Sequence, residues 1–248
     1  MIKLSEMDTQ RFNCVVAKGT LESEEELQEV SNFCDQHQVD LLIARIKTDH
    51  LALAQALERQ GAFLTDVLVY YLLSLIKKRE SLIDLPSVKD GVIFRACRPE
   101  EANTVSEMAR ECFQGYYGHY HSDHRLNPQA CDDVYIDWAR RSCLDKQVAD
   151  EVLVAEAEGQ LIAFATIRMN SPSELEGVLF GVAPVAQGRG IYRSLIQQSM
   201  AWGLRMGAKR VVYSTQINNL AVQKVWVKEG CEPSHSYYTF HKWFSGKN

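Results

Sequence analysis

Residues 182–195 read VAPVAQGRGIYRSL. An apolar run ends at Pro184, a Gln187-Gly188-Arg189-Gly190 turn follows, and Ile191 opens what reads as an amphipathic helix. Glycines at such a junction leave backbone N–H groups uncovered. The helix behind them aims its positive end at the same point, and together these features bind phosphate without a basic protein around them. Arg189 can add a charge-assisted contact. A plainer reading is a glycine turn that lets a helix pack close to a sheet. The turn is not a Walker loop, because no Gly-Lys-Ser/Thr follows, and the dinucleotide fingerprint GxGxxG is absent.

The chain around this junction has 248 residues, enough for one large domain or two small ones. Its apolar content of 46% and charged content of 24% are ordinary for a globular protein. The formal charge of −5 comes with no basic stripe, so nucleic acid is not the expected partner and an anion must be held by a local device. No window approaches the roughly 18 consecutive apolar residues of a membrane span. The first residues lack a signal-peptide core, so the cytoplasm is the expected compartment. Seven scattered cysteines without a CxxC pair argue for reduced thiols rather than a disulfide framework or zinc ribbon.

Working outward, strand and helix patterns alternate. Residues 23–37 suit a helix capped by Ser23, 40–46 a strand, 50–60 a helix stopped by Gly61, and 66–75 a longer strand. The charged, Pro86- and Gly91-punctuated stretch 77–91 reads as a linker between a lobe at 1–76 and a domain at 92–248. The latter continues with strand 92–97, a helix opened by Pro99, an aromatic and histidine-rich loop at 113–128, and a helix at about 130–144. Two strands turn at Glu158-Gly159, and a strand at 174–182 leads into the glycine junction. After it come a strand at 210–217, a helix from Asn219 and a last strand at 236–244. The halves also echo each other: an offset of 169 carries His50 to Asn219 and Gly61 to Gly230. Chance similarity of two strand-helix-strand units is one explanation. An old duplication whose later copy alone kept a glycine loop is the favoured one.

Strand, glycine loop, helix, strand, then NLAVQKVWVKEGC (219–231) resembles the GNAT superfamily of acyl-CoA-dependent N-acetyltransferases. Gln187 and Gly190 match the family's Gln/Arg-x-x-Gly-x-Gly/Ala loop, with Tyr192 where Gly or Ala is usual. Asn219, Val222, Trp226 and Gly230-Cys231 hold the places of its later signature. The resemblance covers about residues 92–244. It implies an α/β fold with a central mixed, mostly antiparallel sheet flanked by helices, here preceded by a smaller half-GNAT-like α/β lobe. Acetyl-CoA is implied as co-substrate, held by Gln187, Gly188, Arg189, Gly190, Ile191 and Tyr192. A free backbone N–H near Phe180 to Val182 would polarise the thioester, and Asn219 would bind the pantetheine arm, although a helix N-cap fits Asn219 equally well.

ARIKTDHLALAQALERQGAFL (44–64), STQINNLAV (214–222) and the SYYTF strand extend the likeness to GNAT enzymes that acetylate nucleotide-linked amino sugars. The implied acceptor loop is YYGHYHSDHR (116–125). Tyr117, His119, Tyr120, His121 and Arg125 are its candidate binding residues. Stacking rings and cations suit a base, sugar or diphosphate, and a loop packed on its own aromatics is the alternative. The base that makes the amine neutral is sought at Glu174 or Glu176 on the central strand or at His119, His121 or Asp123 in the loop, with Glu176 and His119 foremost and solvated strand-end charge the plainer role for the carboxylates. Where many relatives carry an acid tyrosine, this chain has Trp226, whose indole N–H is no usable acid. Another tyrosine (Tyr192 on the loop, Tyr213, Tyr237 or Tyr238), water, or the amine's own proton remain open for the thiolate. No metal is expected. A homodimer through the first lobe's strand edges is an expectation of the same kind. A GNAT acting on another small amine and a non-catalytic acyl-CoA binder are the competing readings.

Overall fold

Short apolar runs and amphipathic stretches alternate along the chain, and the structure turns that alternation into strands and helices. It is a computed structural model that describes residues 2–244. The expected domain's last residues, 245–248, and Met1 lie outside the described residues. The elements are β1 (Ile2–Leu4), α1 (Glu6–Phe12), β2 (Val16–Leu21), α2 (Glu26–Gln36), β3 (Leu41–Lys47), α3 (Leu51–Arg59), β4 (Phe63–Ser74), α4 (Arg79–Ile83), β5 (Val88–Lys89) and β6 (Val92–Ala96). There follow α5 (Ala102–Cys112), α6 (Pro128–Leu144), β7 (Glu151–Ala157), β8 (Gln160–Ser171), β9 (Glu174–Val182), α7 (Ile191–Arg205), β10 (Arg210–Gln216), α8 (Leu220–Lys228) and β11 (Glu232–Trp243). Ser23 does not cap α2, which starts after Glu25 with no side-chain cap. Asn127 does cap α6, its side chain accepting from the Ala130 amide at 3.1 Å. The stretch 77–91 is ordered into α4 and β5. Among the described residues no helix is long and apolar enough to cross a membrane.

All eleven strands join one mixed sheet, in the order β1-β2-β3-β11-β4-β10-β9-β8-β7-β6-β5. The internal echo is a property of the fold. The offset that takes Leu41 to Arg210 also carries the bounds of β3 onto β10, α3 onto α8 and β4 onto β11. Gly61 and Gly230 end the two equivalent helices with φ of 89° and 87°, the left-handed turn that favours glycine. The two copies exchange their last strands. β11 pairs with β3, β4 pairs with β10, and β4 and β11 pair with each other. Leu68 faces Tyr237, its own image under the offset, so a pseudo-twofold axis runs through that pair. Phe240 of β11 is accordingly buried among Ile46 and Leu57 of the first copy. The segments before and after 77–91 therefore share one sheet. Its outer strands, β1 and β5, are three and two residues long, which leaves little edge for strand-to-strand association.

α7 packs Leu195, Ile196 and Met200 against Leu175, Val211 and Tyr213 on one face of the sheet. α5 and α6 cover Val154, Phe164 and Leu179 on the other. Between these layers the central strands part. β9 and β10 run parallel through only four pairs, ending at Tyr213 opposite Gly177. Next to that point β9 slips register against β8, skipping Val178, and the Leu179 amide donates to Thr166 Oγ1 at 3.1 Å. Gly177 is required here by close approach. A Cβ on it would stand 2.2 Å from the Tyr213 ring and 2.9 Å from that of Phe180. Gly177→Ala is expected to cost about 1–3 kcal/mol through overpacking, seen as a melting temperature lower by several degrees. An unchanged melting temperature would show that the ring is free to move away.

Candidate active site

The glycine junction lies where β9 leaves the splay. After a 3₁₀ turn at Pro184–Ala186, Gly188 and Gly190 take φ of 75° and 77°, and α7 begins at Ile191 with no side-chain cap on Gly190. Among the described residues the amides of Gly188, Arg189, Gly190 and Ile191 donate to no protein acceptor. A Cβ on either glycine would meet nothing within 4 Å. Close helix packing is thus not what the glycines provide; they provide left-handed turns and bare amides. Gln187 braces the turn, its amide donating to the Val182 carbonyl at 3.3 Å. The exposed Arg189 lines a small cavity with Lys89, Asp90, Phe94 and Ser194. Lys89, a second cation at the loop, went unnoticed in the sequence because it lies in the stretch read as linker.

Aromatic side chains fill the helix-covered side of the splay. Trp226, 3% exposed, stacks on Tyr213 with centroids 5.5 Å apart, and its indole N–H donates to the Tyr192 hydroxyl at 3.1 Å. Phe180 meets the edges of Tyr192 and Tyr213. Burial pushes both tyrosine hydroxyls up from their ordinary range, making them weaker acids than exposed tyrosines. Tyr192, the loop's candidate acid, holds its proton firmly for that reason. Asn219 stands at the N-cap of α8 without capping it. Its Nδ2 donates to Thr215 Oγ1 at 3.0 Å, which leaves Oδ1 without a partner among the described residues.

The loop 113–127 lies on the other face and is tied to the exchanged strand β11. Asp123, His241 and His119 form a chain. His241 Nδ1 lies 2.8 Å from Asp123 Oδ2, and His241 Nε2 lies 3.0 Å from His119 Nδ1. The first two residues are fully buried. Burial alone would raise the Asp123 carboxyl. Hydrogen bonds from His241, the Trp243 indole and the Arg125 amide outweigh it and hold that carboxyl below its usual range. An ionised Asp123 accepts the hydrogen bond of His241 Nδ1–H, so in that tautomer His241 Nε2 accepts from His119 Nδ1–H. The lone pair of His119 is thereby placed on Nε2, which has no partner among the described residues. Burial, then His241, Arg45, Lys18 and His121, depress the His119 imidazolium well below 6.5. His119 is therefore neutral at neutral pH.

The other candidates divide by what already holds them. Tyr117 is exposed. Tyr120 is buried and donates to Asp8, His121 is engaged at both nitrogens by the Gly118 amide and Asp132, and Arg125 sits over the Trp243 ring. Tyr120 and His121 stitch the loop to the fold and have little left for a ligand, whereas the exposed Arg125 guanidinium makes no hydrogen bond or ion pair among the described residues. His119 and His121 also face different partners, so the loop histidines do not converge as metal ligands. Glu176 Oε2 accepts from both Nε and Nη2 of Arg168, at 2.8 and 2.6 Å, while its Oε1 has no hydrogen-bond partner among the described residues. A surface hollow of about 420 Å³ lies elsewhere, around Arg95, whose guanidinium is already satisfied by Glu101 and Glu156.

A family model for the acetyltransferase (GNAT) family matches residues 103–230, just over half of the chain. The chain belongs to the GNAT family. This GNAT protein is an acetyltransferase, and the family's donor is acetyl-CoA. Its fold is shared with a GCN5-related N-acetyltransferase from Sphaerobacter thermophilus at a TM-score of 0.65 and 13% identity, over 98% of this chain and 76% of that one. A tandem GNAT protein from the clavulanic acid biosynthesis pathway aligns at 0.64 and 14%, over 94% and 76%. Among curated proteins, the spore coat polysaccharide biosynthesis protein SpsD of Bacillus subtilis (strain 168) is 22% identical over 210 residues, 83% of this chain and 68% of the relative. The first copy of the GNAT half-unit has Glu22-Ser23-Glu24-Glu25 between β2 and α2 where the second has its glycine loop. Carboxylates there repel a diphosphate, so the fold repeats and the cradle does not.

Proposed function

We propose that this GNAT enzyme transfers acetyl from acetyl-CoA directly to the amino group of a nucleotide-linked amino sugar of the dTDP-amino-dideoxyhexose type. The observation that carries the donor half is the row of four bare amides at α7 beside strands that part at Gly177. That row suits the diphosphate of the cofactor, with Arg189 and Lys89 as nearby cations. The acceptor half is supported by the relative from polysaccharide biosynthesis and by a polar, histidine-bearing face opposite α7. His119 Nε2 takes the proton of the attacking amine as nitrogen bonds to the thioester carbon and the carbon–sulfur bond breaks. A backbone amide of β9 beyond the bulge would receive the developing oxyanion, and Asn219 Oδ1 would accept from the pantetheine arm. With Tyr192 and Tyr213 both weak acids, the thiolate draws its proton from water or, by way of the protonated His119, receives the one the amine gave up.

An acceptor panel with free-thiol detection tests this reading. Turnover is expected with dTDP- or UDP-linked amino sugars and a much lower rate with the free amino sugars. Equal rates on amines without a nucleotide would overturn the acceptor class. Acetyl-CoA binding without turnover on any amine would overturn catalysis itself.

A further inference from the structure

A cation on the acceptor face makes no close ion pair among the described residues. Arg45 of β3 pairs across the sheet with Thr239 of β11, which pairs in turn with Asp66 of β4. Directly paired residues share a face, so these side chains rise together, beside His241 two residues along β11. Arg45 is half-buried, yet among the described residues its guanidinium makes no hydrogen bond or ion pair. Arg168 of β8 and Arg210 of β10, farther along the sheet, are each held by a glutamate. Asp66 makes no close ion pair with Arg45; its Oδ1 accepts from the Val67 amide at 2.7 Å, and the charge of Arg45 reaches it only from farther off. The charge of Arg45 is nevertheless felt at Asp66, Tyr70, His119 and Tyr120, which places it within electrostatic reach of that group.

The second observation lies beside it. Thr239 is fully buried, and its Oγ1 is the one side-chain polar atom among the described residues that is buried with no hydrogen-bond partner. Buried polar groups are normally satisfied, and an arginine is seldom withdrawn from water without a partner. Two unmet donors on adjacent strands define what is missing: an oxyanion. We propose that Arg45 and Thr239 form the seat for a phosphate of the acceptor's nucleotide diphosphate. The guanidinium stands at the mouth and the hydroxyl at the floor, covered until the anion draws the long arginine stem outward. A planar guanidinium fork fits phosphate oxygens in pairs. Tyr70, stacked on His235 at 4.5 Å and edge-on to Tyr237, continues the same face as an aromatic surface for the nucleoside. The charge of Arg45 reaches His119, so an acceptor anchored here holds its amine on the side of the base.

This inference rests on the acceptor reading above, and its test separates the two. Isothermal titration is done with protein saturated with CoA, so that the loop at α7 is filled, using dTDP, inorganic pyrophosphate and succinate as probes. Wild type is expected to bind dTDP and pyrophosphate and to ignore succinate. Arg45→Ala should weaken both phosphate probes by about 10–100-fold, the loss of one charged hydrogen-bonding group, with CoA affinity unchanged. Thr239→Val should weaken dTDP by about 3–10-fold while leaving the melting temperature unchanged or higher, because it removes an unsatisfied hydroxyl. Unaltered dTDP affinity in Arg45→Ala overturns the seat, as does a lower melting temperature in Thr239→Val with dTDP binding intact. Succinate bound as tightly as pyrophosphate overturns the phosphate assignment in favour of a carboxylate. Failure of wild type to bind CoA would strike the donor reading instead, whereas CoA binding without dTDP binding strikes this seat alone.

Discussion

Gly190→Asp is expected to abolish acetyl-CoA binding while leaving the fold standing. Gly190 has φ of 77° with nothing within 4 Å of a built Cβ, so a side chain there meets strain but no clash. Aspartate tolerates the left-handed region better than most residues, at a cost on the order of 1 kcal/mol. A carboxylate at the uncapped start of α7 gains roughly 0.3–1 kcal/mol from the helix dipole, which offsets most of that strain. The melting temperature should therefore move by only a few degrees. Binding fares differently, because the new carboxylate occupies the same bare amides the diphosphate needs and repels it. Losing two hydrogen bonds to a charged group, each worth about 1.5–3 kcal/mol, lowers affinity by about 10²–10⁴-fold. Calorimetry with acetyl-CoA and a thermal melt read the two effects separately. Acetyl-CoA bound as tightly as by wild type would remove the loop from the cofactor site. Arg189→Ala is the milder companion, since its exposed guanidinium adds charge to the amides without replacing them.

That loop was legible in the sequence because every part of it is local. Glycines, the preceding proline and the following amphipathic run occur within fourteen residues. The internal repeat was legible for a related reason: His50 and Asn219, and Gly61 and Gly230, keep one register, and the element bounds follow it. What escaped was contact between distant segments. Nothing in SYYTFHKWF announces that β11 crosses into the first copy, because an alternating strand pattern specifies a face and not a neighbour. The relay escaped with it, since His241 reaches Asp123 only through that exchange. Tyr120 and His121 were misjudged in the same way. Rings in a histidine-rich loop look available until Asp8 of α1, far off in sequence, and Asp132 of the helix that follows the loop are seen to hold them. Arg45 was invisible because an arginine in an apolar strand run reads as a solvated residue until its lack of a partner is seen.

His119→Gln should separate chemistry from binding. Glutamine keeps a polar group of similar reach toward His241 but has no lone pair of imidazole basicity to offer the amine. General-base catalysis by a positioned side chain is worth about 10²–10⁴ in rate, so kcat should fall by that factor, or about 2.7–5.5 kcal/mol. The affinity for acetyl-CoA should stay unchanged, because the cofactor loop lies across the sheet on the α7 side. The pH profile supplies an independent reading. His119 acts only when neutral, and burial with the neighbouring cations and imidazoles depresses its protonation well below 6.5. The limb of the wild-type kcat profile that reports this base therefore falls away only at pH below 6.5, and from there upward the base is fully available. In His119→Gln that acidic limb should vanish together with most of the rate. A variant turning over within about threefold of wild type, with the limb intact, would show that the proton leaves by another route and that the Asp123–His241–His119 chain serves to fasten β11 to the loop.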